Sequence, residues 1–209
     1  MFYNNITGIV LAGGKSSRMG VDKSLLTINN KTLVEITFDS LSKIFHRVII
    51  ISDKENKFDL NGAEQFEDIF TNLGPLGGIH SGLKHSNDNL NFVISCDLPM
   101  VSNELITYLC EHHGNHDVTI PQFSGQIHFL CGVYSRICIQ LIEAIFHSGR
   151  NDAEPGLKNF NFSIKKLVAS LQANIVISDK LHFISPLHFF NVNTPEDLRF
   201  IRSKMKSEL

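Results

Sequence analysis

Two glycines followed by two cations stand near the amino terminus of this 209-residue chain, in the run Leu11-Ala12-Gly13-Gly14-Lys15-Ser16-Ser17-Arg18-Met19-Gly20-Val21-Asp22-Lys23. Gly13 and Gly14 have no side chain to hold a phosphate or a base away from the backbone N–H groups. Arg18 adds a planar fork suited to bidentate phosphate contact, and Lys23 a compact point charge. Small backbone plus two cations is what a nucleoside triphosphate needs. The plainer alternative is a glycine-rich turn with solvated charges. A second candidate is Asp97, which follows the apolar run Phe92-Val93-Ile94-Ser95 and stands two residues before Pro99. Mg²⁺ carried by a triphosphate keeps several waters and takes only one or two protein carboxylates, so a single aspartate is sufficient. Its plainer alternative is a cap on the turn before Pro99.

The elements around these residues place them together. Residues 6–11, 48–52, 92–95 and 118–121 read as strands, with a shorter one at 64–66 that delivers Asp68 to the same edge. Residues 33–44, 76–84 and 105–110 carry apolar side chains at helical spacing. This alternation argues for a mostly parallel sheet covered on both faces. Ligands of such sheets bind outside the carboxyl ends of the strands, where the glycine loop and Asp97 both fall. After Ile120 a helix is expected at 137–147, a polar stretch at 149–162, a helix at 164–171, a strand at 175–178, and a further strand at 189–192 leading into a helix at 196–206. Thr194 is expected to cap that last helix, with Pro195 in its first turn. Two known phosphate loops do not fit. A Walker A loop needs glycine where Ile9 stands, and the dinucleotide fingerprint fails because the glycines are 13, 14 and 20.

The run from Leu11 to Lys23 resembles the signature Leu-Ala-Gly-Gly-x-x-x-Arg-Met-Gly-x-Asp-Lys of the molybdenum cofactor guanylyltransferases, the molybdopterin-guanine dinucleotide biosynthesis protein A family. Four later segments resemble that family in the same order: Glu67-Asp68, Gly74-Pro75-Leu76-Gly77-Gly78, Cys96-Asp97-Leu98-Pro99, and Asn191-Val192-Asn193-Thr194-Pro195-Glu196-Asp197-Leu198. The resemblance implies an α/β, three-layer Rossmann-like nucleotidyltransferase fold with a mostly parallel central sheet. It also implies transfer of GMP from GTP to molybdopterin or Mo-molybdopterin, with release of pyrophosphate. By the same resemblance Arg18, Lys23 and Asp97 are catalytic, and Asp97 is the Mg²⁺ ligand. Leu11, Ala12, Gly13, Gly14, Lys23, Ser52, Asp68 and Asp97 bind GTP, with Asp68 matching an acidic nucleotide contact and Ser52 standing where the family has an asparagine. A carboxylate at 68 could accept from guanine N1–H and N2–H₂. Asn191 and Asn193 line the molybdopterin side, and their amides offer both donors and acceptors to a pterin ring.

The chain departs from the family where Phe129 replaces a common proline and where 149–162 is longer than the usual glycine turn. In and just after that segment, Arg150, Lys158, Lys165 and Lys166 are candidates for the molybdopterin phosphate on charge alone. A cytidylyltransferase, another transferase acting on a phosphorylated small molecule, and a non-catalytic GTP- or cofactor-binding protein are the alternatives. Implied partners beyond GTP and molybdopterin are other molybdenum-cofactor biosynthesis proteins and molybdoenzyme chaperones.

Length and a 43% hydrophobic content suit one domain over 1–209, with a nucleotide-binding half to about 120 and an acceptor-binding half after it. A net charge of -2 makes no case for nucleic acid. No apolar run of about 18 residues exists to span a membrane, and no signal peptide opens the chain, so a cytoplasmic location is expected. Cys96, Cys110, Cys131 and Cys138 form no C-x-x-C pair and read as free core thiols. His112, His113 and His116 read as a solvated turn, because Gly114 and Asn115 interrupt them.

Overall fold

Strand β1 (Tyr3–Leu11) is buried without interruption from Ile6 to Leu11. Continuous apolar runs of this kind belong to strands with a neighbour on each edge and helices on each face. The structure, a computed structural model, describes residues 2–13, 22–71, 73–151 and 163–205; of 148–151 and 205 only the backbone is described. The chain continues through β2 (Thr27–Ile28), β3 (Lys31–Thr32), α1 (Leu33–Ser42), β4 (Phe45–Ser52), β5 (Glu64–Glu67), α2 (Pro75–His85) and β6 (Leu90–Ser95). Then come α3 (Asn103–Glu111), β7 (Val118–Phe123), β8 (Gln126–Ile127), β9 (Cys131–Ser135), α4 (Cys138–Asn151), α5 (Ile164–Ala169), β10 (Ala173–Ile177) and α6 (Pro195–Met205).

The main sheet runs β10-β7-β9-β6-β1-β4-β5, with β8 beside β7. β1 pairs in parallel with β4 and β6, β4 with β5, and β7 with β10. Among the described residues of this sheet, β8 and β9 run antiparallel to their neighbours, and β2 and β3 form a separate antiparallel hairpin. The chain therefore steps outward from β1 to β4 and β5, then returns to lay β6 on the other edge of β1. This reversal of strand order opens a crevice at the carboxyl ends of β1 and β6.

Alternation along the strands sorts the core into two layers. Val10, Ile50, Phe92 and Ile94 pack on one face with Val34 and Leu41 of α1 and Leu105, Ile106 and Leu109 of α3. Ile9, Leu11, Ile49, Ile51 and Val93 pack on the other with Leu76, Ile79 and Leu83 of α2, Ile142 and Phe146 of α4, and Leu167 of α5. Complete burial of each such side chain is worth roughly 1.5–3 kcal/mol. A smaller cluster joins Ile28 and Leu33 to Val192, Leu198 and Ile201, docking α6 on the β2–β3 hairpin. The result is the three-layer, mostly parallel α/β architecture expected from the sequence.

Helix starts follow local chemistry. Thr32 and Glu35 form a reciprocal capping box at α1, and Ser102 caps α3 through the Leu105 N–H. Asp197 N–H donates to Thr194 Oγ1 at 3.1 Å, so Thr194 caps α6 as expected.

Three expectations are overturned or qualified. Residues 189–192 are not a strand: a 3-10 turn spans Pro186–Phe189, started by the Ser185 cap and Pro186, and 190–193 are irregular. The Val192 N–H goes to Asp97 O at 2.9 Å, a single bond and not a ladder. The histidine turn is only partly solvated, because His113 is 2% exposed and its Nδ1 lies 3.0 Å from Thr119 Oγ1. The polar stretch at 149–162 begins inside α4 and otherwise lies outside the described residues. All four cysteines are free and buried, as expected.

Two glycines let neighbouring elements approach closely. A Cβ on Gly132 would lie 2.4 Å from Thr119 O, and one on Gly82 would lie 2.6 Å from Ile9 Cγ2. Gly132→Ala and Gly82→Ala are each expected to lower stability by about 1–3 kcal/mol. Gly132→Ala should cost more, since its obstacle is a backbone oxygen within the sheet. Urea unfolding of the two variants beside the parent measures this.

Candidate functional site

The site lies on the strand register. Leu11 pairs with Ile51 on one side and Ser95 on the other, and Ser52 pairs with Glu67. The ladders run on by one bond each: Ala12 N–H to Ile51 O at 2.8 Å, Cys96 N–H to Leu11 O at 3.1 Å, and Asp68 N–H to Ser52 O at 3.0 Å. Gly13, Ser52, Asp68 and Asp97 thus all emerge at one edge, within two residues of their last paired neighbours.

Gly13 borders a narrow slot. A Cβ there would lie 3.6 Å from Asp68 Oδ2, 3.6 Å from Ser52 Cα and 3.7 Å from the Asp53 nitrogen. A Cβ on Gly78 of α2 would lie 3.7 Å from Asp68 Oδ1, so the carboxylate sits between the two glycines. Asp68 Oδ1 is buried and has no hydrogen-bond partner among the described residues. Burial pushes the Asp68 carboxyl up to about 6, with the Ser81 hydroxyl opposing that rise. A buried acceptor without a donor is unusual in a folded protein and invites a ligand N–H. Ser52 brings backbone to this slot. Its side chain is fully buried and its Oγ donates to Lys54 O at 2.5 Å.

The glycine segment 74–78 has a packing role of its own. Gly74 has φ +60° at the helix cap, a left-handed conformation that favours glycine. A Cβ on Gly77 would lie 2.7 Å from Phe70 O, and one on Gly78 would lie 3.2 Å from Leu11 Cδ2. These glycines seat the start of α2 against β1 and the chain after β5.

A second group forms on the far side of Gly13. Lys23, in a 3-10 turn spanning Lys23–Leu25, donates from Nζ to Asn193 Oδ1 at 2.5 Å. Asn193 follows Val192, whose backbone is bonded to Asp97. Burial raises the Asp97 carboxyl above its usual range, while the Ser95 hydroxyl and the Lys23 charge pull it down. Lys23, Asp97 and Asn193 are therefore one constellation. Asn191 is half-buried on the other side of Val192. Among the described residues no three His, Cys, Asp or Glu side chains gather to hold an ion by themselves. One half-buried carboxylate beside a lysine fits a divalent cation that arrives with a polyphosphate. Gly14, Arg18 and Lys158 lie outside the described residues, as does the side chain of Arg150. Lys165 and Lys166 are exposed on α5, and no hydrogen bond or ion pair among the described residues joins them to the Lys23 group.

Two features were not anticipated from the sequence. Lys57 Nζ bridges Asp22 Oδ2 at 2.5 Å and Asp53, fastening the chain after β4 to the exit of the glycine-rich run. Burial opposes the Lys57 charge, but the two carboxylates outweigh it and raise its pKa. No local pattern announces a partner 35 residues away. Asp197 Oδ2 accepts the N–H groups of Asn193 at 3.0 Å and Thr194 at 2.8 Å. A signal for this one was present, since Thr194 and Asp197 have the spacing of a capping box.

Comparison with known proteins adds to this geometry. The family model of the MobA-like NTP transferase domain matches residues 8–160. A protein of Natranaerobius thermophilus named probable molybdenum cofactor guanylyltransferase is 33% identical over 206 residues, covering 95% of this chain and 96% of its own. One of the same name from Pelotomaculum thermopropionicum is 30% identical over 204 residues, covering 97% and 93%. The crystal structure of molybdopterin-guanine dinucleotide biosynthesis protein A from Archaeoglobus fulgidus superposes with a TM-score of 0.78 at 22% identity, covering 98% of this chain and all of that one.

The Asp68 slot has a measurable pH signature. Its carboxyl releases its proton near pH 6 in the fold and at about pH 4 in the unfolded chain. Between these values the folded state binds the extra proton, so this group's contribution to stability falls as pH rises from about 4 to about 6 and then levels off. Asp68→Asn stays neutral throughout. The variant is expected to be more stable than the parent at neutral pH, with the difference shrinking toward pH 4 in urea unfolding. A difference independent of pH would overturn this.

Proposed function

The chain belongs to the family of MobA-like NTP transferase domains, and on that footing we propose that it is a molybdenum cofactor guanylyltransferase. It transfers GMP from GTP to molybdopterin or its molybdenum-loaded form, and releases pyrophosphate. The observation that carries this reading is the Lys23–Asp97–Asn193 constellation at the carboxyl edge where Gly13 also emerges. It joins the phosphate-binding run of the first half to the motif of the second.

The acceptor phosphate attacks the α-phosphorus of GTP, and the bond to pyrophosphate breaks. Such a transfer needs charge neutralisation and in-line positioning more than a protein nucleophile. Lys23 contacts phosphate oxygens as a point charge, and Arg18 holds the departing pyrophosphate by its fork. The backbone at Leu11, Ala12, Gly13 and Gly14 frames the nucleotide, with Ser52 at the rim. Asp68 accepts from guanine N1–H and N2–H₂, which gives its orphaned oxygen a partner. Asp97 would hold Mg²⁺, which when bound neutralises phosphate charge and is worth several kcal/mol at the transition state. Asn191 and Asn193 face the pterin, so residues up to about 120 form the donor half and the rest the acceptor half. A reaction that consumes GTP belongs in the cytoplasm. Other cofactor-biosynthesis proteins and molybdoenzyme chaperones are the partners this role calls for.

Pyrophosphate release from GTP and from CTP, with Mg²⁺ and molybdopterin, tests the reading. Release is expected with GTP and only when acceptor is present. Preference for CTP would make the protein a cytidylyltransferase, and nucleotide binding without release would make it a carrier. Asp97→Ala is expected to lower kcat by about 10²–10³, the scale of losing one preorganised electrostatic contact. Lys23→Ala is expected to weaken GTP binding about tenfold, the scale of one charge-assisted hydrogen bond. Unchanged kinetics in either variant would remove that residue from the mechanism.

A further inference from the structure

We propose that Asp197 is a positioning residue of this site: acting through Asn193, it sets the Lys23 ammonium at the junction of the donor and acceptor halves. The kinetic consequence rests on the guanylyl-transfer reading; the placement of Lys23 does not.

The hydrogen bonds form a short chain. Asp197 Oδ2 accepts from the Asn193 N–H at 3.0 Å and the Thr194 N–H at 2.8 Å, and Thr194 Oγ1 accepts the Asp197 N–H at 3.1 Å. One carboxylate thereby fixes the backbone of Asn193, whose Oδ1 accepts from Lys23 Nζ at 2.5 Å. The preceding residue is pinned from the opposite side. Val192 donates its N–H to Asp97 O at 2.9 Å and is fully buried with Ile28, Leu33, Leu198 and Ile201. The helix itself is tied to the strand that follows the Lys23 turn, because Arg202 Nε and Nη2 donate to Thr27 O at 3.0 and 2.6 Å. Asn193 is therefore held between Asp97 and Asp197, just before a helix tied to the strand that follows the Lys23 turn.

The charges agree with this arrangement. Burial opposes ionisation of Asp197, but the N–H donors of Asn193 and Thr194, the Thr194 hydroxyl and the Lys23 charge outweigh it and hold its carboxyl below the usual range. The same lysine opposes the rise that burial imposes on Asp97. Among the described residues, the Lys23 charge thus acts on two carboxylates, one at the end of β6 and one at the start of α6. A helix cap needs only an acceptor for the two N–H groups, and an asparagine would supply it. Orienting a cation through Asn193 also uses the charge.

Three variants separate these roles. Asp197→Ala removes acceptor and charge, Asp197→Asn keeps the acceptor without the charge, and Asp197→Glu keeps both with the carboxylate shifted by one methylene. The first readout is the rate of amine acylation at Lys23, followed by mass spectrometry with Lys31 and Lys84 as internal references. Both references make ion pairs elsewhere, Lys31 with Asp39 and Lys84 with Glu143. Lys23 labelling is expected to rise about threefold or more in Asp197→Ala and equally in Asn193→Ala, with no further rise in the double variant, because the two residues act in series. Asp197→Asn should melt within a few degrees of the parent yet still label Lys23 faster, and Asp197→Glu should restore the slow rate.

The second readout is turnover. Asp197→Asn is expected to lower kcat/KM for the acceptor about tenfold, the scale of a small misplacement, while changing the KM for GTP less. If the parent enzyme releases no pyrophosphate, the transfer reading fails and the labelling still decides the role of Asp197. Unchanged Lys23 labelling in folded Asp197→Asn and Asp197→Ala, or additive effects of Asp197→Ala and Asn193→Ala, would make Asp197 a helix cap alone and overturn the proposal.

Discussion

The parallel hydrogen-bond ladder of β1 with β4 on one side and β6 on the other is the constraint on which the rest depends. Parallel pairing sends every carboxyl end to one edge, and the return of the chain across β1 leaves the crevice there. Gly13, Ser52, Asp68 and Asp97 meet because their strands end in register. Their separation in sequence is absorbed by crossover helices packed on the two faces. Close packing at Gly82 and Gly132 serves the same end, since both glycines let neighbouring elements come near enough to keep the strands aligned. A slip of one residue in β1 would turn its core side chains to the wrong face and move Gly13 out of the crevice.

The chemistry sits where folding is least comfortable. Asp68 and Asp97 are carboxylates that burial pushes toward the neutral form, and one Asp68 oxygen has no donor among the described residues. An apolar or hydrogen-bonded residue at 68 would serve stability better, so the cost is consistent with a ligand that supplies the missing donor. Lys23 is placed differently. It is anchored by Asn193, and its charge favours ionisation of both Asp97 and Asp197, an arrangement that would suit a cation meeting an incoming polyphosphate. Binding there would replace protein contacts already oriented toward the same point, and little reorganisation would remain at the moment of transfer.

Much of this was legible in the chain. Short continuous apolar runs located β1, β4, β6 and β7 and helical spacing located the helices that cover them, because the pattern follows from which faces an element buries. That Gly13 and Asp97 emerge at one carboxyl edge was legible for the same reason, since both are set by the strands that immediately precede them. The reading of 189–192 as a strand failed because four apolar-rich residues fit a strand or a turn equally well. Pro186 with its Ser185 cap and the single bond to Asp97 settled that choice. His113 went the same way: the Gly114-Asn115 break was real, but burial beside Thr119 depends on the packing of α3 against β7.

What the sequence by itself determined is the kind of fold, the edge at which Gly13, Asp68 and Asp97 emerge and the residue types available there. Each rests on interactions among near neighbours, and those leave a pattern in the chain. What only the tertiary structure decided is which of these residues touch. Lys23 meets Asn193 across 170 positions, and Lys57 reaches back to Asp22 across the β1–β4 crossover. Such contacts are fixed by how whole elements dock, through the burial of Val192, Leu198 and Ile201 on the β2–β3 hairpin. No local spacing carries that information, because the cluster forms only after the sheet has brought the two ends of the chain together.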